Sequence, residues 1–184
     1  THYSRGEHPQ AAEALTQMLA SLPANAAATD DLARRAYYVR GLAEYGEAQS
    51  LAGQAKSQKL TAAAADLRQF LKLADKAAEA PDDRYMLGLC QAGSGKTAEA
   101  AATFEQLLKD FPQYHGSDKV RYELAWSYRD LSREDDAAKV FADLAEKNTS
   151  SPLAAEGRFN VGEAQYAEKN YREAAKSYYQ TERQ

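Results

Sequence analysis

The chain has 184 residues, 44% of them hydrophobic and 27% charged, with a formal net charge of −4. This is the balance of an ordinary soluble globular chain, and its mild acidity argues against nucleic acid or an anionic membrane surface as the main partner. No apolar run approaches the roughly 18–20 residues of a membrane span, so no direct membrane insertion is expected, and a single cysteine excludes an internal disulfide framework.

Taken in order, Thr1–Pro23 reads as the second half of a two-helix unit. Ala11, Ala12, Leu15, Met18, Leu19, Leu22 and Pro23 fall on Ala100, Ala101, Phe104, Leu107, Leu108, Phe111 and Pro112 further along, and Gly6 sits near an inter-helix turn. A chain that opens in mid-unit is expected to be a piece of a longer one. Ala24–Thr29 is a short linker, after which Thr29, Asp30 and Asp31 supply the N-cap and first-turn acids of the next helix. That helix runs through Tyr37, Tyr38, Gly41 and Tyr45. The polar stretch Glu47–Leu60, with Gly53 inside it, carries extra length, either as longer helices or as a surface loop; its Ala, Gln and Lys favour helix. A second helix is predicted over Thr61–Ala80, burying Ala63, Leu67, Phe70, Leu71 and Leu73. The remaining helices are predicted at Asp82–Ala92 with Lys96–Asp110, Ser117–Ser132 with Arg133–Asn148, and Leu153–Glu168 with Tyr171–Arg183. Ser132 with Asp135, and Asn170 with Glu173, resemble capping boxes.

From Pro81 onward one unit is written three times. Gly88, Ala125 and Gly162 are 37 residues apart, as are Ala100, Ala137 and Ala174, and Phe104, Phe141 and Tyr178. Arg84, Arg121 and Arg158 keep the same step, as do Tyr85, Tyr122 and Phe159. A fixed period of this size is the mark of a solenoid built from one supersecondary unit. The small residue on the first helix and the Ala on the second let two axes approach to roughly 8–10 Å, and the ring one turn beyond the Ala plugs the remaining gap.

These offsets resemble the tetratricopeptide repeat. The family's small residue at the eighth place falls on Gly88, Ala125 and Gly162, its Ala at the twentieth on Ala100, Ala137 and Ala174, and its aromatic at the twenty-fourth on Phe104, Phe141 and Tyr178. Its terminal Pro matches Pro112; the next unit has Thr149 there, with Pro152 three residues on. The family's Trp at the fourth place is replaced by Tyr37, Arg84, Arg121 and Arg158. The usual unit of about 34 residues is lengthened in Gln113–Asp118 and Asn148–Pro152, which is similar to bacterial envelope members of the family, of the barrel-assembly lipoprotein and Tol–Pal coordinator types. The resemblance implies an all-α, right-handed solenoid of antiparallel helix pairs, about nine helices in one domain over 1–184. Its parts would be 1–23 (a half unit), 24–80 (an extended unit), 81–117, 118–154 and 155–184. A bacterial periplasmic or envelope location is implied by the second resemblance alone, and the cytoplasm stays open.

Several motifs invite chemistry and are read as structural. Ala92-Gly93-Ser94-Gly95-Lys96-Thr97 looks like part of a phosphate loop, but Cys90 stands where the first Gly belongs and a helix precedes it, so a tight turn is expected. Cys90 has no histidine at ligand spacing and reads as buried filler. His2 and His8 are a poor metal pair. The acids Asp82, Asp83, Glu134, Asp135 and Asp136 sit at helix starts, where the macrodipole favours them. No catalysis, cofactor or metal is expected.

In the family the first helices line a concave groove. The positions that would point inward are Tyr38, Tyr45, Tyr85, Lys119, Tyr122, Glu123, Trp126, Arg129, Asn160, Glu163 and Tyr166, rich in the Tyr, Trp and Arg that dominate binding hot spots. Tyr85, Tyr122 and Phe159 are equally readable as packing against the next unit. Lys119 and Asn160 match two places of the family's carboxylate clamp, but Glu123 stands where Asn belongs. The expectation is a protein–protein interaction module that holds a partner peptide or protein segment, anchored by Tyr122, Trp126 and Arg129. Alternatives are a scaffold or spacer that self-associates through open solenoid ends, and an accessory domain of a larger enzyme. An RNA-reading helical repeat does not fit the charge balance.

Overall fold

The computed structural model describes residues 8–22, 31–73 and 80–182. His2, Gly6, Pro23, the 24–29 linker with its Thr29–Asp30 cap, and the end of the predicted 61–80 helix lie outside the described residues. Among those described there are nine α-helices and no strand: α1 (His8–Ser21), α2 (Asp31–Ala48), α3 (Gly53–Leu73), α4 (Ala80–Gly93), α5 (Thr97–Asp110), α6 (Ser117–Asp130), α7 (Glu134–Lys147), α8 (Leu153–Ala167) and α9 (Tyr171–Glu182). First-turn acids such as Asp82 and Asp83 of α4 and Glu134, Asp135 and Asp136 of α7 face positive helix ends, while Lys109, Arg129 and Lys147 sit in last turns.

The described residues fall into two compact units, one within Thr1–Ala100 and one within Ala101–Gln184, with the border inside α5. In the first unit α1 packs on α2, α2 on α3, and α3 on α4. The extra length around Glu47–Leu60 goes into helix: α2 has 18 residues and α3 has 21, separated by a short turn. The second helix of this pair thus starts at Gly53 rather than Thr61, because Gly53, at φ +55°, makes the turn. Ala48, Leu60, Ala63, Ala64, Leu67, Leu87 and Cys90 form its main core, with Tyr38, Tyr45, Leu71 and Met86 packed against it. Leu73 is only half-buried. Alanines let the backbones close in: a Cβ added to Gly41 of α2 would lie 3.3 Å from the Ala63 carbonyl of α3.

In the second unit α6 packs on α7, α7 on α8 and α8 on α9, and α6 also lies beside α8, so that first helices of successive repeats are neighbours. The periodic residues form the core. Ala125, Ala137, Phe141 and Ala174 are at most 1% exposed, and the Tyr178 ring lies directly over Gly162, its nearest carbon 2.5 Å from where a Cβ would stand. Arg121, in the place of the family's Trp, donates to the Ser117 carbonyl at 3.2 Å and to Asn148 Oδ1 at 3.1 Å. Asn148 Nδ2 donates to Ser117 Oγ, and Ser151 Oγ donates to Asp118 Oδ2 at 2.6 Å. The lengthened loop is therefore pinned to the start of α6 by side-chain hydrogen bonds.

The turns inside the three 37-residue units are one turn repeated. Gly95 (φ +83°), Ser132 (φ +57°) and Lys169 (φ +63°) are left-handed, and the next residue's amide donates back to Gln91, Tyr128 and Gln165 carbonyls, each at 2.8 Å. Together with the amides of Gly95, Ser132 and Lys169 bonding Ala92, Arg129 and Tyr166 carbonyls, this is the Schellman closure of a helix C-terminus. It accounts for the glycine-rich 92–97 segment without a phosphate. It also corrects the reading of Ser132 and Asp135 as a capping box. Ser132 closes the preceding helix, and the N-cap of α7 is Arg133, whose side chain makes no cap hydrogen bond.

Candidate partner-binding groove

Four of the residues predicted to line a groove are drawn together in the second unit. Tyr122, Trp126 and Arg129 follow one face of α6 at helical spacing. The Tyr122 hydroxyl donates to Glu156 Oε1 on α8 at 2.9 Å. Its ring meets Trp126 edge-on, with centroids 6.1 Å apart, and Trp126 meets Phe141 of α7 at 5.9 Å. The Arg129 guanidinium lies 5.0 Å from the Trp126 ring centroid, a cation–π distance. It donates to Asn160 Oδ1 of α8 at 3.0 Å and stands 3.6 Å from Glu134. Asn160 is held in turn by its Nδ2 bond to the Glu156 carbonyl. The Trp126 indole N–H is buried without a well-formed hydrogen bond, although the Tyr122 hydroxyl lies near enough to feel it.

Between α7 and α8, with Arg129 of α6 at its rim, lies a cleft of about 440 Å³. Ala137, Ala138, Phe141, Ala164 and Ala167 give it an apolar base, and Arg129, Glu134, Asp135, Asn160, Glu163 and Glu168 form its polar edge. Burial raises the Glu123 carboxyl above the ordinary carboxylate range, and burial together with the Glu156 bond raises the Tyr122 phenol.

Most other predicted lining residues lie elsewhere. Lys119 is exposed on the first turn of α6. Glu163, which stays in the cleft's edge, also accepts from the Tyr178 hydroxyl of α9 at 2.6 Å, whereas Tyr166 stacks edge-on with Tyr171 on the α9 side of α8. Tyr38, Tyr45 and Tyr85 belong to the first unit. Tyr38 lies 4.9 Å from the Phe70 ring, and it and Tyr45 pack against the core there; Tyr85 is half-buried. Phe159 lies 5.7 Å from Tyr178.

The sequence reading found Arg129, Asn160 and Glu163 of the cleft's edge but missed its other acids and its base. Glu134 and Asp135 were legible only as helix-start acids, and Glu168 carried no signal. Ala138, Ala164 and Ala167 lacked the bulk that draws attention to a hot spot, although helical spacing from Phe141 on α7 and from Asn160 on α8 would have found them.

Among the described residues, no three or more His, Cys, Asp or Glu side chains are set to hold a metal, and no helix is long and apolar enough to cross a membrane. Cys90 is fully buried, which pushes its thiol up to about 12 and leaves it a poor nucleophile.

Two sequence models described as tetratricopeptide repeat match the chain, over residues 84–114 and 122–184, together just over half of it. No curated protein sequence matches. Among solved structures, the chain is similar to the nearly identical TPR-like repeats of a putative kinesin light chain from Podosopora anserina, and to a variant of the same repeats. Identity is 16% and 15%; the matches cover 98% of this chain and 88% of those, with a TM-score of 0.64 in each case. At that identity the likeness speaks for the fold alone. Repeats of this kind generally mediate protein–protein interaction and are typically non-catalytic. With two repeat models matched, helices in antiparallel pairs and the 37-residue step of small, Ala and aromatic residues, this chain belongs to the tetratricopeptide repeat family.

Proposed function

We propose that the chain is a non-catalytic interaction module and that a segment of a partner protein lies along α6 and enters the cleft between α7 and α8 that Arg129 borders. The observation that carries this is the row Tyr122–Trp126–Arg129, held in place by Glu156 and Asn160 beside an open apolar trough. Rings and a guanidinium fixed before binding lose little side-chain entropy when a partner arrives.

Trp126 is the single tryptophan of the chain, so its emission reports on this site alone. Photo-crosslinking from position 126 identifies the partner, and titration of the captured segment should shift Trp126 emission. Arg129→Ala should weaken that binding about tenfold or more, as the loss of a hot-spot residue does. Unchanged affinity in Arg129→Ala and Tyr122→Ala would remove the groove reading.

A second reading, self-association, is favoured by the exposed rings of α8 and α9: Phe159 is 47% exposed, Tyr166 59%, Tyr171 56% and Tyr179 59%. Sedimentation equilibrium separates the two. A monomer at all concentrations removes self-association and leaves the groove untouched.

A further inference from the structure

The cleft beside α6 has a charge pattern that specifies its occupant. Its lining holds four carboxylates, Glu134, Asp135, Glu163 and Glu168, and among the described lining residues one cation, Arg129. That guanidinium is already engaged by the Trp126 ring, by Asn160 Oδ1 and by Glu134. The remaining acids stand above a base of Ala137, Ala138, Ala164 and Ala167 methyl groups, closed at the bottom by the Phe141 ring. A trough of this kind accepts an aliphatic side chain, and its edge attracts cations and repels phosphates and carboxylates.

We propose that the occupant is a partner-protein segment presenting a Leu-, Ile- or Met-sized side chain to the alanine base, with Lys or Arg about one helical turn away meeting Asp135, Glu163 and Glu168. This rests on the groove reading above and deepens it by naming the partner's chemistry. The chain's overall charge of −4 points the same way, steering a basic segment on approach. A nucleic acid or an acidic C-terminal tail would instead bring its anions against the acid edge.

The test uses random 12-residue peptides displayed on phage and selected on the full chain, with counter-selection on Ala167→Trp. Ala167 is the exposed member of the cleft's alanine base, so the indole fills the trough without entering the core. Expected is enrichment of an aliphatic residue flanked by Lys or Arg. The best peptide, followed by fluorescence anisotropy, should bind roughly tenfold more weakly to the triple variant Asp135→Asn, Glu163→Gln, Glu168→Gln, and its affinity should fall several-fold from 0.05 to 0.5 M salt. Glu146→Gln, near the C-terminal end of α7 and outside the cleft lining, should bind as the parent does. Enriched acidic or neutral peptides that Ala167→Trp still blocks would overturn the charge inference and leave the groove standing. Selection of no peptide that discriminates against Ala167→Trp would overturn both. Equal loss in Glu146→Gln would show attraction to the acidic surface at large, and would overturn the inference as well.

Discussion

In the first unit the α2–α3 pair runs to 18 and 21 residues, and its contact carries Arg40, Glu44 and Asp66. In the second unit helices α6 to α9 keep to 12–15 residues, and their contacts carry Tyr122, Trp126, Phe141 and Tyr178. One unit adds a buried ion pair to the Tyr38–Phe70 ring contact across its helix pair, the other relies on rings, and the two respond differently to perturbation. A buried ion pair adds little net stability while intact, because desolvation offsets most of its attraction, but costs a great deal when one partner is removed. A ring in a gap stabilises by area and packing, so its loss scales with the void left behind. In the first unit Arg40 packs against the Tyr37 ring and bonds Asp66, whereas the second leaves an open trough beside its aromatic row.

The sharpest break is expected at Asp66. Its two oxygens accept from Arg40 Nε and Nη2 at 2.5 and 2.6 Å, and the side chains are only 8% and 18% exposed. Asp66→Ala strands the guanidinium and should destabilise by about 3 kcal/mol, the low end for a broken buried pair, because Arg40 keeps some contact with water. The double variant Arg40→Met, Asp66→Leu should recover most of that loss. Urea titration followed by far-UV ellipticity measures both; a double variant as unstable as the single one would mean that the pair does more than cancel its own charges.

In the second unit the comparable weak point is Gly157. A Cβ there would stand 2.9 Å from the Phe141 carbonyl oxygen of α7, and a backbone atom cannot step aside. Gly157→Ala should cost about 2 kcal/mol by overpacking, read as an earlier Trp126 transition in urea. For Gly46→Ala in the first unit the nearest atoms are those of the His8 ring, also at 2.9 Å, and a side chain that can rotate away should hold the cost to about 0.5 kcal/mol. Equal losses at the two positions would show that the α1–α2 contact is as rigid as α7–α8.

Charge should also make the first unit sensitive to pH. Burial, reinforced by Asp66, pushes the Glu44 carboxyl from its ordinary 4.5 to about 7. Between those values the folded chain holds a proton that the unfolded chain has released. The associated stability is complete below pH 4.5 and is lost as pH rises through 7. Glu44→Gln should therefore match the parent near pH 4.5 and exceed it at pH 8, by on the order of 1 kcal/mol once solvent screening of a partly exposed group is allowed for. A pH-independent difference between the two would remove this account.

The contrast also explains which parts of the molecule were legible in the sequence. Ala137, Phe141, Ala174 and Gly162 announced themselves because every unit solves the same close-packing problem with the same residue types. Arg40, Glu44 and Asp66 belong to the extended unit, where no second copy repeats them, and an Arg–Asp pair 26 residues apart has no local signature. Tyr122, Trp126 and Arg129 were legible as a stripe on one helix, but the Glu156 and Asn160 bonds that fix them depend on how α8 lies against α6. Ser132 misled because Ser-x-x-Asp satisfies the pattern of a cap; Gly95, its equivalent 37 residues earlier, already marked a left-handed turn.

That turn gives the smallest expected effect. At Gly95 nothing lies within 4 Å of an added Cβ, so Gly95→Ala should lose only the cost of a left-handed side chain, about 1 kcal/mol. Ser132 and Lys169 already bear that cost with the same backbone hydrogen bonds. Replacing either with Gly relieves the strain but frees the unfolded chain, so the gain should be smaller, about 0.5 kcal/mol each. Both sites are exposed, and their side chains enter no core. The two gains should therefore add in the double variant, measured as a shift in urea midpoint at unchanged slope. If Lys169→Gly destabilises instead, its side chain contributes more to the end of α8 than its backbone costs, and the three turns are alike in geometry but not in energy.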